Sequence, residues 1–135
     1  MFRNPFKRIK SSPPPATSKA LIEWKNNYFP NIEFPIIIFR ADDYLGVSDL
    51  EEYFYDVDIN IWYIDSTCVL VDSIGQKYNF RQIEGRQWVP HIRIGEMGFA
   101  DLLDQLTPLL YLPSHKEAIA HKDSIKGTIE LILTE

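Results

Sequence analysis

At 135 residues the chain is long enough for one domain with its own hydrophobic core, and 45% hydrophobic with 24% charged residues is an ordinary globular composition. The net charge of −5 speaks against general nucleic-acid binding, which needs a basic face, and a single cysteine, Cys68, excludes an internal disulfide framework. The charge is also sorted: residues 1–19 carry five Lys or Arg and no acid, whereas residues 33–72 carry ten acids against Arg40 alone.

Residues 1–17 read as a basic, Pro-rich tail, with Pro13-Pro14-Pro15 favouring an extended spacer, and residues 18–135 as a single domain. The tail holds no apolar signal sequence and Ile36–Phe39 is far short of a membrane span, so a cytoplasmic location is expected. A first helix is predicted from Ser18 as N-cap, with Leu21, Trp24 and Tyr28 on one face, stopping before Pro30. Phe34 to Arg40 predicts a strand buried on both faces, because a short Ile-rich run without alternation suits that setting. Ala41 to Val47 reads as a loop, and Ser48 with Glu51 as a capping box opening a short helix.

Strands are then expected at Ile59–Ile64, Thr67–Asp72 and Lys77–Ile83, the last two joined by a turn in which Gly75 supplies a positive φ. Trp88 to Pro90 suggests a loop, followed by one more extended segment at Ile92–Ile94. Phe99, Leu102, Leu103, Leu106, Leu109 and Leu110 form a helical stripe, which Pro108 should end or kink. Ser114 with Glu117 predicts a helix to about Lys122, and the alternation of Ile129, Leu131 and Leu133 predicts a final strand over Thr128–Thr134. The fold expected is α+β: a mostly antiparallel sheet of about five strands with a central β-meander, helices packed on one side.

No motif fixes a chemistry. Asp56-Val57-Asp58-Ile59-Asn60 has the first ligand positions of a calcium loop, but Ile61 stands where the loop needs glycine and Thr67 where it needs glutamate. Asp42-Asp43 ends the Ile-rich strand, where paired carboxylates can hold a divalent metal; with Asp58 they define an alternative reading as a small metal-dependent hydrolase. His115 and His121 are six apart, about 120° around a helix and unsuited to one metal, so His91, His115 and His121 read as surface residues. Cys68 reads as a small buried apolar residue on a strand. Arg81, Arg86, Trp88, His91 and Arg93 mix cations with an aromatic, and are expected to neutralise the acidic block across the sheet rather than bind nucleic acid. Phe2, Phe6 and Ile9, flanked by Lys7 and Arg8, form a candidate amphipathic anchor for an anionic membrane surface.

The opening Met1-Phe2-Arg3-Asn4-Pro5-Phe6-Lys7-Arg8, followed by a compact acidic α+β domain, resembles some small bacterial immunity proteins of contact-dependent and other polymorphic toxin systems. The resemblance implies that the acidic block around Asp42 to Asp58 docks on a basic toxin cleft; no motif carries over residue by residue. Residues and resemblance together give the expectation of a non-enzymatic, cofactor-free module that binds a basic protein. Its face would be Asp42, Asp43, Glu51, Glu52, Tyr55, Asp56 and Asp58, with Tyr44, Tyr53 and Tyr55 supplying the anchor among the carboxylates.

Overall fold

The computed structural model describes residues 18–55, 64–83 and 87–134. Of the strand expected at Ile59–Ile64, residues 59–63 lie outside them, as does the tail before Ser18, and Ile64 is not in a strand. Helix α1 spans Ser18–Tyr28 and stops ahead of Pro30, as the spacing of Trp24 and Tyr28 predicts. Strand β1, Ile36–Arg40, is the Ile-rich run. Its side chains alternate between two cores: Ile36 and Ile38 enter one, Ile37 and Phe39 the other, and none is more than 3% exposed.

Residues 41–47 are not a loop. Ala41 and Asp42 turn the chain, and Asp43–Val47 forms β2, antiparallel to β1 with Arg40 opposite Asp43. The turn residues Asp42, Asp43 and Gly46 mask a strand pattern in Tyr44, Leu45 and Val47, and the tight hairpin puts Ala41 at φ 52, a conformation it adopts at a cost. Gly46 faces the chain near residues 132–133: a Cβ there would sit 2.8 Å from Leu133 Cδ2 and 3.3 Å from Ile132 Cδ1.

Helix α2, Leu50–Tyr55, is capped one residue later than Ser48: Asp49 Oδ1 accepts from Glu52 N–H (2.7 Å), and Glu52 Oε1 accepts from Ser48 N–H (2.9 Å). Strands β3 (Val69–Val71), β4 (Gln76–Gln82) and β5 (Trp88–Glu96) form a meander that keeps the last two strands of the one expected over residues 59–83 and adds β5 as its third, in an antiparallel sheet of order β2-β1-β3-β4-β5. Trp88-Val89-Pro90 belongs to β5 rather than to a loop; proline is tolerated there because β5 is an edge strand.

Helix α3, Phe99–Leu106, passes into a 3-10 turn, Thr107–Leu109, at Pro108. Helix α4, Pro113–Ile119, opens on a proline at its first position, with Leu112 rather than Ser114 in the cap position. The last element, α5, is a helix over Ile125–Ile132, where alternation predicted a strand. Ser124 Oγ accepts from Gly127 N–H (3.0 Å), and Thr128, Ile129 and Ile132 bury one face while Leu133 falls beyond the helix. A run with apolar residues at both spacings is decided by its cap.

The helices consequently lie on both faces of the sheet rather than one. Trp24 of α1 and Tyr53 of α2 share a core with Ile36, Ile38, Leu70, Phe80 and Val89. Leu102 and Leu106 of α3, Ile119 of α4 and Ile129 and Ile132 of α5 share the other with Ile37, Phe39 and Val71. The first core is aromatic: Trp24 lies 5.1 Å from Phe29 and 4.8 Å from Phe54, and Phe29 meets Tyr53 edge-on at 4.9 Å.

One acid of the acidic stretch is inside. Asp72, fully buried after β3, accepts from Ile74 N–H (3.2 Å) and Gln76 N–H (2.8 Å) on one oxygen, and from Gln76 Nε2 (2.8 Å) and Glu33 N–H (3.2 Å) on the other. Ser73 extends the clamp, donating from Oγ to the Pro35 carbonyl (2.6 Å) and from N–H to the Glu33 carbonyl (2.9 Å). The turn ends on Gly75 at φ +88, where an added Cβ would lie 2.5 Å from the Met97 carbonyl oxygen.

Asp72→Ala, which orphans several buried donors, is expected to cost about 3 kcal/mol in urea unfolding. Ala41→Gly, which relieves the positive φ, is expected to raise stability by about 1 kcal/mol in the same measurement.

Candidate functional site

The carboxylates chosen from sequence separate into two groups at opposite ends of β2. Asp42 is exposed in the hairpin turn, and Asp43 is half-buried at the start of β2, its Oδ1 accepting from Tyr44 N–H at 2.7 Å. Asp49, Glu51 and Glu52 lie beyond the other end, about 15 Å away along an extended strand. Asp49 and Glu52 are engaged in capping α2, whereas Glu51 is exposed on its first turn. Acidic residues there also complement the positive N-terminal end of the helix. Asp56, Asp58 and the side chain of Tyr55 lie outside the described residues, as do Phe2, Phe6, Lys7, Arg8 and Ile9 of the candidate anchor, the calcium-like run 56–60, and Arg86.

Near the hairpin turn, Arg40 Nε pairs with Asp65 Oδ2 at 3.2 Å, both side chains being about two-fifths exposed. Asp65 also accepts from Thr67 N–H (2.8 Å) and from the Thr67 hydroxyl. The Thr67 hydroxyl above all, opposed by burial and helped by the Thr67 N–H and then by Arg40, holds the Asp65 carboxyl below its ordinary range. This is a closed turn of structural character: carboxylate, hydroxyl and guanidinium satisfy one another.

The two tyrosines placed among the carboxylates as binding anchors belong to the interior. Tyr44 is 3% exposed in the core beneath α3–α5. Tyr53 is fully buried in the opposite core, donating its hydroxyl to the Trp88 carbonyl at 2.6 Å. Burial, with a smaller contribution from Cys68, raises the Tyr53 hydroxyl well above its usual pKa. Tyr44 lies on β2, where a loop is expected from sequence, and Tyr53 on the short helix α2.

Among the described residues no group of three or more His, Cys, Asp or Glu is placed to hold a metal ion. His91 and His121 are exposed, but His115 is buried in α4 with no hydrogen-bond partner at Nδ1, contrary to its reading as a surface residue. Cys68 is buried just ahead of β3; its Sγ accepts from Asp65 N–H at 3.4 Å, and burial pushes the thiol from 9.0 up to about 11. That makes a poor nucleophile.

The cationic stretch does not neutralise the acidic block. Strand β5 forms the edge opposite β2, so four strand spacings, roughly 19 Å, separate them. Arg93 instead pairs with Glu96 at 2.6 Å, and Trp88 is half-buried against the aromatic core rather than offered as a stacking surface. The feature missed from sequence is the exposure of β5: His91, Ile92, Arg93 and Ile94 are all open to solvent. Ile92 and Ile94, two apart in an extended segment, do not show by spacing alone which side meets solvent. No helix among the described residues is long and apolar enough to cross a membrane.

No protein-family model, no curated protein and no solved structure matches the chain.

The Cys68 thiol is expected to resist a thiol reagent at pH 8 in the native protein and to react within the mixing time in concentrated urea. Because its folded pKa is raised, its stabilising contribution is complete below pH 9.0 and declines as pH rises through about 11. Urea midpoints falling over that window, less steeply in Cys68→Val, check the sign.

Proposed function

We propose that the chain is a non-enzymatic protein-binding module whose carboxylates steer a basic protein toward its β1–β2 side. The observation that supports this is the exposure of Asp42, Asp49 and Glu51 in a stretch, residues 31–55, whose sole Lys or Arg is Arg40, already tied to Asp65. Steering tolerates their separation. A field acts over a Debye length of about 8–10 Å, so carboxylates at both ends of β2 add without touching, whereas an anchor demands contact.

Asp42, Asp43 and Glu51 act in this reading as the steering charges, joined by Asp56 and Asp58; Glu52 serves mainly the cap of α2. Tyr55 remains the aromatic assigned to the partner, Tyr44 and Tyr53 being withdrawn into the cores. The resemblance to immunity proteins gives the reading its sharpest form: an inhibitor seated on the basic cleft of a toxin.

Capture from the source cell's lysate at low and moderate salt provides the test, with wild type and Asp42→Lys/Glu51→Lys as parallel baits. One stoichiometric basic protein is expected, lost as salt rises. Its association rate with the double variant should fall about tenfold at low salt, with little change in dissociation. A rate indifferent to both salt and charge reversal overturns the proposal.

A further inference from the structure

The two edges of the sheet are unlike. Along β2, Tyr44, Leu45, Gly46 and Val47 are all buried, main chain included, so that edge is covered. Along β5, four successive residues from His91 to Ile94 are exposed, with Ile92 53% and Ile94 49% accessible, and no strand lies beyond them among the described residues. An open edge offers unpaired backbone groups to any extended chain. Two exposed isoleucines add apolar area for cross-strand pairing.

The edge also selects. The described residues of β4 and β5 carry Lys77, Arg81 and Arg93 against Glu96 alone, which Arg93 pairs at the exposed edge, with His91 beside them, in a chain of net charge −5. A second copy is the poorer occupant: antiparallel pairing of two β5 strands about a dyad near Arg93 brings that guanidinium beside its own copy, and like charges across a ladder repel. Pro90 and the register shifts near Tyr78 blunt the edge further against long, flat self-pairing.

We propose that the open edge of β5 is a docking site for an extended segment of a partner protein in which apolar residues alternate with Asp or Glu. The segment adds a sixth strand, its backbone joining the ladder, its apolar side chains packing on Ile92 and Ile94, and its carboxylates meeting the cations of β4 and β5. The site lies at the edge opposite the carboxylates and carries the opposite charge, so its failure and theirs are separable.

The test is an NMR titration of the full, isotope-labelled chain with a short peptide alternating Val and Glu, beside a control alternating Val and Lys. Shift changes and new amide-exchange protection are expected at residues 91–96 with the acidic peptide alone. Arg93→Glu should weaken binding about tenfold, and Ile94→Ser, which leaves the charge intact, should weaken it too. Asp42→Lys/Glu51→Lys should leave it unchanged. No shift at millimolar peptide, shifts elsewhere, equal binding of the Lys peptide, or β5 protection that grows with protein concentration alone would each overturn the proposal, the last in favour of a second copy.

Discussion

The buried carboxylate of Asp72 is the constraint on which the sheet's arrangement depends. Its two oxygens collect donors from the turn that follows, Ile74 and Gln76, and from Glu33, 39 residues earlier in the chain. Through Glu33 and Ser73 the turn is fastened to the segment leading into β1, the strand that β3 must find. Such a cluster decides register as well as stability, because a slip by one residue would turn the side chains of β3 to the wrong core and strand every donor. An acid in a sequence block that looks uniformly solvated therefore acts as an organising centre, and the surface charge of the block is smaller than its count.

Strand β1 extends the same logic outward. Buried on both faces, it has no polar side to present, so the helices before β3 and after β5 have to take opposite faces. The tyrosines follow from this division. Tyr44 on β2 and Tyr53 on α2, near neighbours in sequence, go to different cores, and each leaves the surface where the carboxylates remain. Among the described residues, carboxylates are exposed at both ends of β2, and two isoleucines are exposed beside Arg93 on β5.

The elements readable from sequence were those with one dominant signal: β1 from its unbroken apolar run, α3 from its leucine stripe, the β3–β4 hairpin from Gly75, α1 from its stop at Pro30. Those misread had competing signals. In residues 41–47 the turn formers hid β2, and in residues 125–133 isoleucines and leucines satisfied both a period of two and one of four, so Ser124 had to decide. The candidate face fared unevenly. Exposure of Asp42 and Glu51 follows from their charge, but the burial of Tyr44, Tyr53, Asp72 and His115 depends on partners far along the chain, which no local pattern reports.

The close seating of α5 on β1 and β2, made possible by the bare backbone at Gly46, bears on how the protein is made. Synthesis delivers β1, β2 and β3 well before Ile125–Ile132, and until that helix emerges Ile37, Phe39, Tyr44 and Val71 have only part of their cover. Helices α3 and α4 supply Leu102, Leu106 and Ile119 first, and apolar side chains still short of cover are where a partly folded chain misassembles. Helix α5 therefore completes the apolar cover of that face only after all five strands of the sheet have been made.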